Sequence, residues 1–181
     1  MKKNYNKIFI FFVLIFCFSC KKNTIYQPVQ YSGDEFMNAS IKKGKNLLSE
    51  ERKFISNWMI KNNKKDFQES KYGFWIQYNK NTDFPNAKDL DMVKYNIQIE
   101  DFAGNIIYSF QEKGLQHGVL SKTHEIRSVE SALKMMGEGD EVTLLVPSFF
   151  AYGLYGDENK IGKDEPLIIM IQLKEILKKA S

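Results

Sequence analysis

Residues 146–156, VPSFFAYGLYG, set Phe149, Phe150, Tyr152 and Tyr155 among two glycines, directly after a stretch patterned as a β-strand. Rings in such a loop can wall off an apolar ligand from water, and a tyrosine hydroxyl can hold a polar atom at the edge. The rest of the reactive inventory is thin. His117 and His124 flank GVLSKT without a histidine, cysteine or carboxylate at metal-ligand spacing, and no GxSxG, CxxC, HExxH or glycine-rich phosphate loop occurs. Glu138, Asp140 and Glu141 are close in sequence, but they follow a helix stop and read as a solvated turn, not as an acid/base pair. Chemistry at the aromatic loop must then work by binding and desolvation, with no nucleophile, metal or cofactor.

The elements that would position this loop are mostly strands. Val93, Tyr95, Ile97 and Ile99 alternate with Lys94, Asn96 and Gln98, the period of a sheet with one wet face. EDFAGNIIYSF turns around Ala103, Gly104 and Asn105 into another strand, and DEVTLLVP and LIIMIQLKEIL supply two more. One helix interrupts them, with Val129, Leu133 and Met136 at helical spacing, Ser128 as its cap, and Gly137 and Gly139 to end it. This pattern is that of an α+β domain. Ahead of it, residues 34–71 form a helical segment, with a break expected at Gly44 and a second start capped by Ser49, where Glu50 and Glu51 favour the positive end. Leu48, Ile55 and Met59 share one face, flanked by Phe54 and Trp58, broad enough to dock on the following domain or to pair two copies as a homodimer.

The chain opens with MKKNYNK and an unbroken apolar run of 11 residues, Ile8 to Phe18. A membrane-spanning helix needs roughly 20, so charge before a short apolar core reads as a signal peptide over residues 1–19, with a buried N-terminal helix as the alternative. FCFSC is similar to the lipobox of bacterial lipoproteins, which makes Cys20 the lipidated first residue of the exported chain; simple cleavage leaving a free thiol is the other reading. Either cut separates Cys17 from Cys20, so no disulfide can form. Residues 20–33 carry Pro28, are polar and aperiodic, and suit a tether to a membrane anchor. Three of the positive charges in the formal +4 (Lys2, Lys3, Lys7) leave with the leader, and the remaining lysines are interleaved with acids. That excludes the basic face a nucleic-acid partner would need.

The order of the elements and the wording of four segments, MVKY, EIRSVESALKMMGEGDEVTLLVP, FFAYG and LIIMIQLKEI, resemble FKBP-type peptidyl-prolyl isomerases over residues 72–178, in particular the lipoprotein members of gliding bacteria. The resemblance implies an FKBP-like antiparallel sheet half-wrapped around one short helix, preceded here by the helical N-terminal segment. It implies a shallow pocket that receives a proline ring. Tyr95 and Tyr152 match its tyrosines, Tyr152 being the one that bonds a ligand carbonyl, and Ile126 matches the residue whose backbone N–H bonds the ligand. Ile107, Val129, Ile161 and Ile169 match apolar wall and floor positions, and Phe150 stands at core or rim. Two departures follow: Val129 replaces a tryptophan, and Tyr108 replaces an aspartate, which removes a negative group from the pocket. Sheet periodicity alone accounts for Tyr95, Ile107, Ile126, Val129 and Ile169 as core.

The implied activity is rotation of X-Pro bonds in exported polypeptides held near a lipid anchor that faces the periplasm. A catalytically weak chaperone or adaptor, and a purely structural lipoprotein, are the competing readings.

Overall fold

The computed structural model describes residues 33–122 and 126–178. The leader, Cys20, residues 21–32 and His124 lie outside them. The chain divides into two compact units, Met1–Asn38 and Ala39–Ser181; of the first, the described part is the opening of one helix.

That helix, α1 (Gly33–Lys61), runs uninterrupted for 29 residues. The break expected at Gly44 does not occur, and Ser49 lies inside the helix instead of capping a second one. A helical glycine costs only about 1 kcal/mol relative to alanine, which the surrounding lysines and leucines absorb. Asp34 and Glu35 in the first turn and Lys61 in the last complement the helix dipole.

Seven antiparallel strands follow among the described residues: β1 (Gln68–Glu69), β2 (Trp75–Lys80), β3 (Met92–Glu100), β4 (Ile106–Tyr108), β5 (Gln116–Val119), β6 (Glu141–Val146) and β7 (Leu167–Leu177). Their order is β1-β2-β6-β7-β3-β4, with β5 also paired to β3. The turn between β3 and β4 forms where expected, closed by Asp101, whose carboxylate accepts the N–H groups of Ala103 at 2.8 Å and Asn105 at 2.9 Å. A one-turn helix absent from the sequence reading, α2 (Phe110–Lys113), lies between β4 and β5 and is capped by Ser109.

Register builds the inner face in rows. Tyr108, Ile99, Ile169, Leu144 and Ile76 stand side by side across five strands, next to Ile97, Ile171, Val142 and Tyr78. On these rows packs α3 (Arg127–Leu133), through Val129, Ala132 and Leu133, with Met136 just beyond it; all four are fully buried. Ser128 is not the cap of this helix. Ile126 holds that position, and the buried Ser128 hydroxyl has no hydrogen-bond partner among the described residues. The helix stops at Leu133, ahead of the glycines, and Gly137 instead lies against Phe84, whose carbonyl oxygen would sit 2.4 Å from any Cβ there. The acidic turn is likewise only partly solvated. Asp140 is buried and accepts the Thr82 N–H at 2.6 Å, the Thr82 hydroxyl at 2.7 Å and the Gly137 N–H at 2.7 Å, while Glu138 accepts the Ile176 N–H at 3.0 Å.

The outer face is not wholly wet. Trp75, Leu145 and Ile168 form a row there, and Ile55 of α1 covers it, with Trp58 and Met59 at its margin. The Trp58 indole donates to the Phe102 carbonyl at 3.1 Å, and the rings of Phe54 and Trp58 meet Phe102 edge-on, each at 5.2 Å. Residues 144–146 are consecutively buried because that part of β6 has protein on both sides.

Candidate functional site

Beyond β6, Pro147 leads into a 3₁₀ turn, Ser148–Phe150, and the Ser148 carbonyl accepts the N–H groups of both Ala151 and Gly153 at 2.9 Å. The four rings of the loop then part company. Phe150 is half-buried and lies on Gly73, where φ is +90° and a Cβ would stand 2.5 Å from the ring. Phe149 packs edge-on against it at 5.1 Å and is otherwise exposed. Tyr155 is 82% exposed, so it walls off nothing. Tyr152 is half-buried and packs on the inner-face core.

The nine candidate pocket residues belong to one apolar cluster. Tyr95, Tyr108, Val129, Ile161 and Ile169 are buried in it, and Ile107, Ile126, Phe150 and Tyr152 are partly buried against it. Ile126 is the residue before α3, a position whose N–H the helix itself does not use. Strand β4 contributes Ile107 and Tyr108, β3 Tyr95, β7 Ile169, and the loops on either side of residue 156 contribute Tyr152 and Ile161. His117 is exposed on β5, opposite Lys94 of β3.

At Tyr108 the structure corrects the expectation of a lost negative group. The Tyr108 hydroxyl donates to the Asp157 carboxylate and accepts from the Asn159 side-chain amide at 3.0 Å. The other Asp157 oxygen accepts the N–H groups of Asn159 at 3.0 Å and Ile161 at 2.8 Å. The carboxylate therefore reaches this place from the loop after the aromatic turn. Lys160 completes the clasp: its ammonium lies 4.8 Å from the Tyr108 ring centroid, donates to the Ile107 carbonyl at 3.3 Å and pairs with Glu112 of α2. Lys113 approaches the same ring at 5.3 Å. With its hydrogen donated to Asp157, the Tyr108 hydroxyl offers a substrate no proton, and its ring is what it presents. Gly156 makes the bend possible: φ is +70° and a Cβ there would fall 2.1 Å from the Ile161 carbonyl oxygen.

Electrostatics follow the hydrogen bonds. The bond to Asp157, aided by desolvation, raises the Tyr108 hydroxyl above its ordinary range, which keeps it protonated. Desolvation pushes the Asp157 carboxyl up, but the Tyr108 hydroxyl and the N–H groups of Ile161 and Asn159 together outweigh it, so the net direction is down. A carboxyl lowered by folding adds stability above its unfolded value of about 3.9 and loses that contribution as pH falls through the folded value. We expect the wild-type melting temperature to drop more steeply than that of Asp157→Asn as pH is taken from 5 to 3; parallel profiles would mean the clasp does not bias that titration.

Asp157, Asn159 and Lys160 were not singled out from the sequence. GDENK has the composition of an Asx turn, which was the available signal; nothing local to it indicates a tyrosine about 50 positions earlier in the chain.

An antiparallel sheet packed over one short helix, with an apolar cluster that joins the aromatic loop to the helix start, is an α+β arrangement. Residues 82–174 match the family of FKBP-type peptidyl-prolyl cis-trans isomerases, and the chain belongs to that family. A peptidyl-prolyl cis-trans isomerase from Pseudomonas syringae pv. tomato is similar in structure, with a TM-score of 0.61 and 24% identity over 74% of this chain and 96% of that one. FkpA from Escherichia coli superposes with a TM-score of 0.58 and 19% identity, covering 82% of this chain and 74% of that one. No curated protein matches by sequence.

Proposed function

We propose that the protein rotates X-Pro bonds of exported polypeptides at the cluster formed by Tyr95, Ile107, Ile126, Val129, Tyr152, Ile161 and Ile169. One observation carries the reading: these side chains, drawn from six separate segments, meet in a single apolar cluster at whose edge Tyr152 and Ile126 are partly exposed. The reaction breaks no covalent bond. The amide must lose its planarity, at a cost of about 18–20 kcal/mol unaided. Resonance in the planar amide places charge on the carbonyl oxygen and is favoured by water, so an apolar wall weakens it. A hydroxyl at Tyr152 and an N–H at Ile126 hold the chain on either side of the twisting bond, and binding the twisted form more tightly than either planar form lowers the barrier.

The test is acceleration of prolyl isomerisation in a short peptide, followed by NMR exchange, with the full chain in detergent micelles. Tyr152→Phe is expected to lower kcat/KM about three- to tenfold, the worth of one hydrogen bond. A folded wild type without acceleration sinks the reading. The chaperone or adaptor reading then takes its place, favoured by the small floor residue Val129, and predicts suppression of aggregation without turnover.

As to location, the lipobox-like FCFSC supports anchoring through Cys20 in the cell envelope, facing the periplasm and most simply at the outer membrane. The resemblance to the gliding-motility-associated protein GldI supports clients among envelope or motility proteins. Exposed Phe36, Met37 and Ile41 on α1 support pairing of two copies. Labelling of Cys20 by a clickable fatty acid, lost in Cys20→Ser, tests the anchor.

A further inference from the structure

We propose that Glu51 of α1 is a positioning residue for the isomerase site, gripping the first residue of the turn that carries Tyr152. The Glu51 carboxylate accepts the Ser148 backbone N–H at 2.8 Å with one oxygen and the Ser148 hydroxyl at 2.6 Å with the other. Both residues are buried, Glu51 to 6% exposure and Ser148 to 1%. The sequence suggests Glu51 as a first-turn acid of a second helix; it lies instead in the middle of α1 and points into the fold.

A carboxylate is an expensive way to fill a gap between a helix and a sheet, because burial disfavours its charged form. Desolvation indeed pushes the Glu51 carboxyl up; the two Ser148 bonds pull it part of the way back, and Asp164 on the neighbouring loop pushes it further up. No cation offsets it from its own helix: Arg52 turns away to Glu69 and the Trp75 ring, and Leu47, Leu48, Phe54 and Ile55 are the neighbours one turn away. What a leucine at this position would lack is a hold on the backbone. That hold falls on Ser148, whose carbonyl in turn receives the Ala151 and Gly153 N–H groups on either side of Tyr152. Glu51, Ser148 and these two amides form one chain of hydrogen bonds from α1 to the edge of the proline site. The N-terminal helix thereby belongs to the enzyme and is more than a spacer.

The inference rests on the isomerase reading, and the experiment separates the two. In the full chain, Glu51→Ala is expected to lose about tenfold in kcat/KM, as misplacement by a fraction of an ångström does, with faster hydrogen exchange at Ala151 and Gly153. Glu51→Gln can accept the N–H and donate to the hydroxyl, so it is expected to stay within about twofold of wild type. A purely structural role would lower the melting temperature of Glu51→Ala and leave kcat/KM of the folded protein unchanged, which overturns the proposal. So does a Gln variant as impaired as the Ala variant. If Glu51→Ala does not fold, Ser148→Ala, which removes one of the two bonds, decides: unchanged turnover and exchange overturn the proposal. A wild type without turnover refutes the isomerase reading instead, and exchange at Ala151 and Gly153 then tests the grip alone.

Discussion

Tyr108→Asp is expected to destabilise the protein by about 4 kcal/mol or more and to bring no gain in turnover. Read from sequence, Tyr108 stands where the family has an aspartate, and restoring the acid would be expected to restore activity. In the structure the place is already served by Asp157, which receives the Tyr108 hydroxyl. An aspartate at 108 would give up a buried ring, a loss of roughly 3–5 kcal/mol by comparison with other aromatic truncations, and would set a second carboxylate facing the first. Two acids so placed cannot both ionise cheaply, so one is driven to hold a proton. Stability of the variant is therefore expected to rise relative to wild type as pH is lowered from 7 towards 5. Thermal melts across that range decide it; a variant as stable as wild type at pH 7, or a rise in kcat/KM, would show that the clasp is dispensable.

Ile169→Ala is expected to cost about 3 kcal/mol and to weaken substrate binding as well. Ile169 is fully buried in the middle of the row from Tyr108 to Ile76, with Ile99 and Leu144 on either side, a setting in which Ile-to-Ala changes cost about 2–5 kcal/mol. For a chain of this size that lowers the melting temperature by roughly 10 °C. Its neighbour Ile168 is the control. One step along the strand it points to the opposite face, against Ile55 and Leu145, so Ile168→Ala is expected to destabilise the fold while leaving KM for a proline peptide unchanged. Equal shifts in KM for both variants would remove Ile169 from the wall of the site.

Much of this was legible because the sheet writes its faces into the sequence. Val93, Tyr95, Ile97 and Ile99 announce a strand and its buried side by alternation alone, and Val129, Leu133 and Met136 announce a helical face; the structure buries all seven. The pocket residues were reachable only through the resemblance, since a wall residue and a core residue share the same period. What stayed hidden was polar and long-range. Glu51 and Ser148 are 97 positions apart and Tyr108 and Asp157 are 49 apart, and neither separation leaves a periodic trace. Ser128 and Gly44 misled for the opposite reason. Each carries a strong local preference, for a cap and for a break, and tertiary packing or helical neighbours outweighed it.

Strand β7 joins β6 to β3 in the middle of the sheet, yet it is made last of the seven. Until residues 167–177 leave the ribosome, the β1-β2-β6 group and the β3-β4-β5 group have no ladder between them, and both β6 and β3 present an unpaired edge. Closure then brings together segments some 70 residues apart in one step, the long-range pairing that makes folding slow and all-or-none. A ribosome that stalls before residue 167 would release two half-sheets with exposed apolar faces, and those are a substrate for chaperones or proteases, never a partly active enzyme.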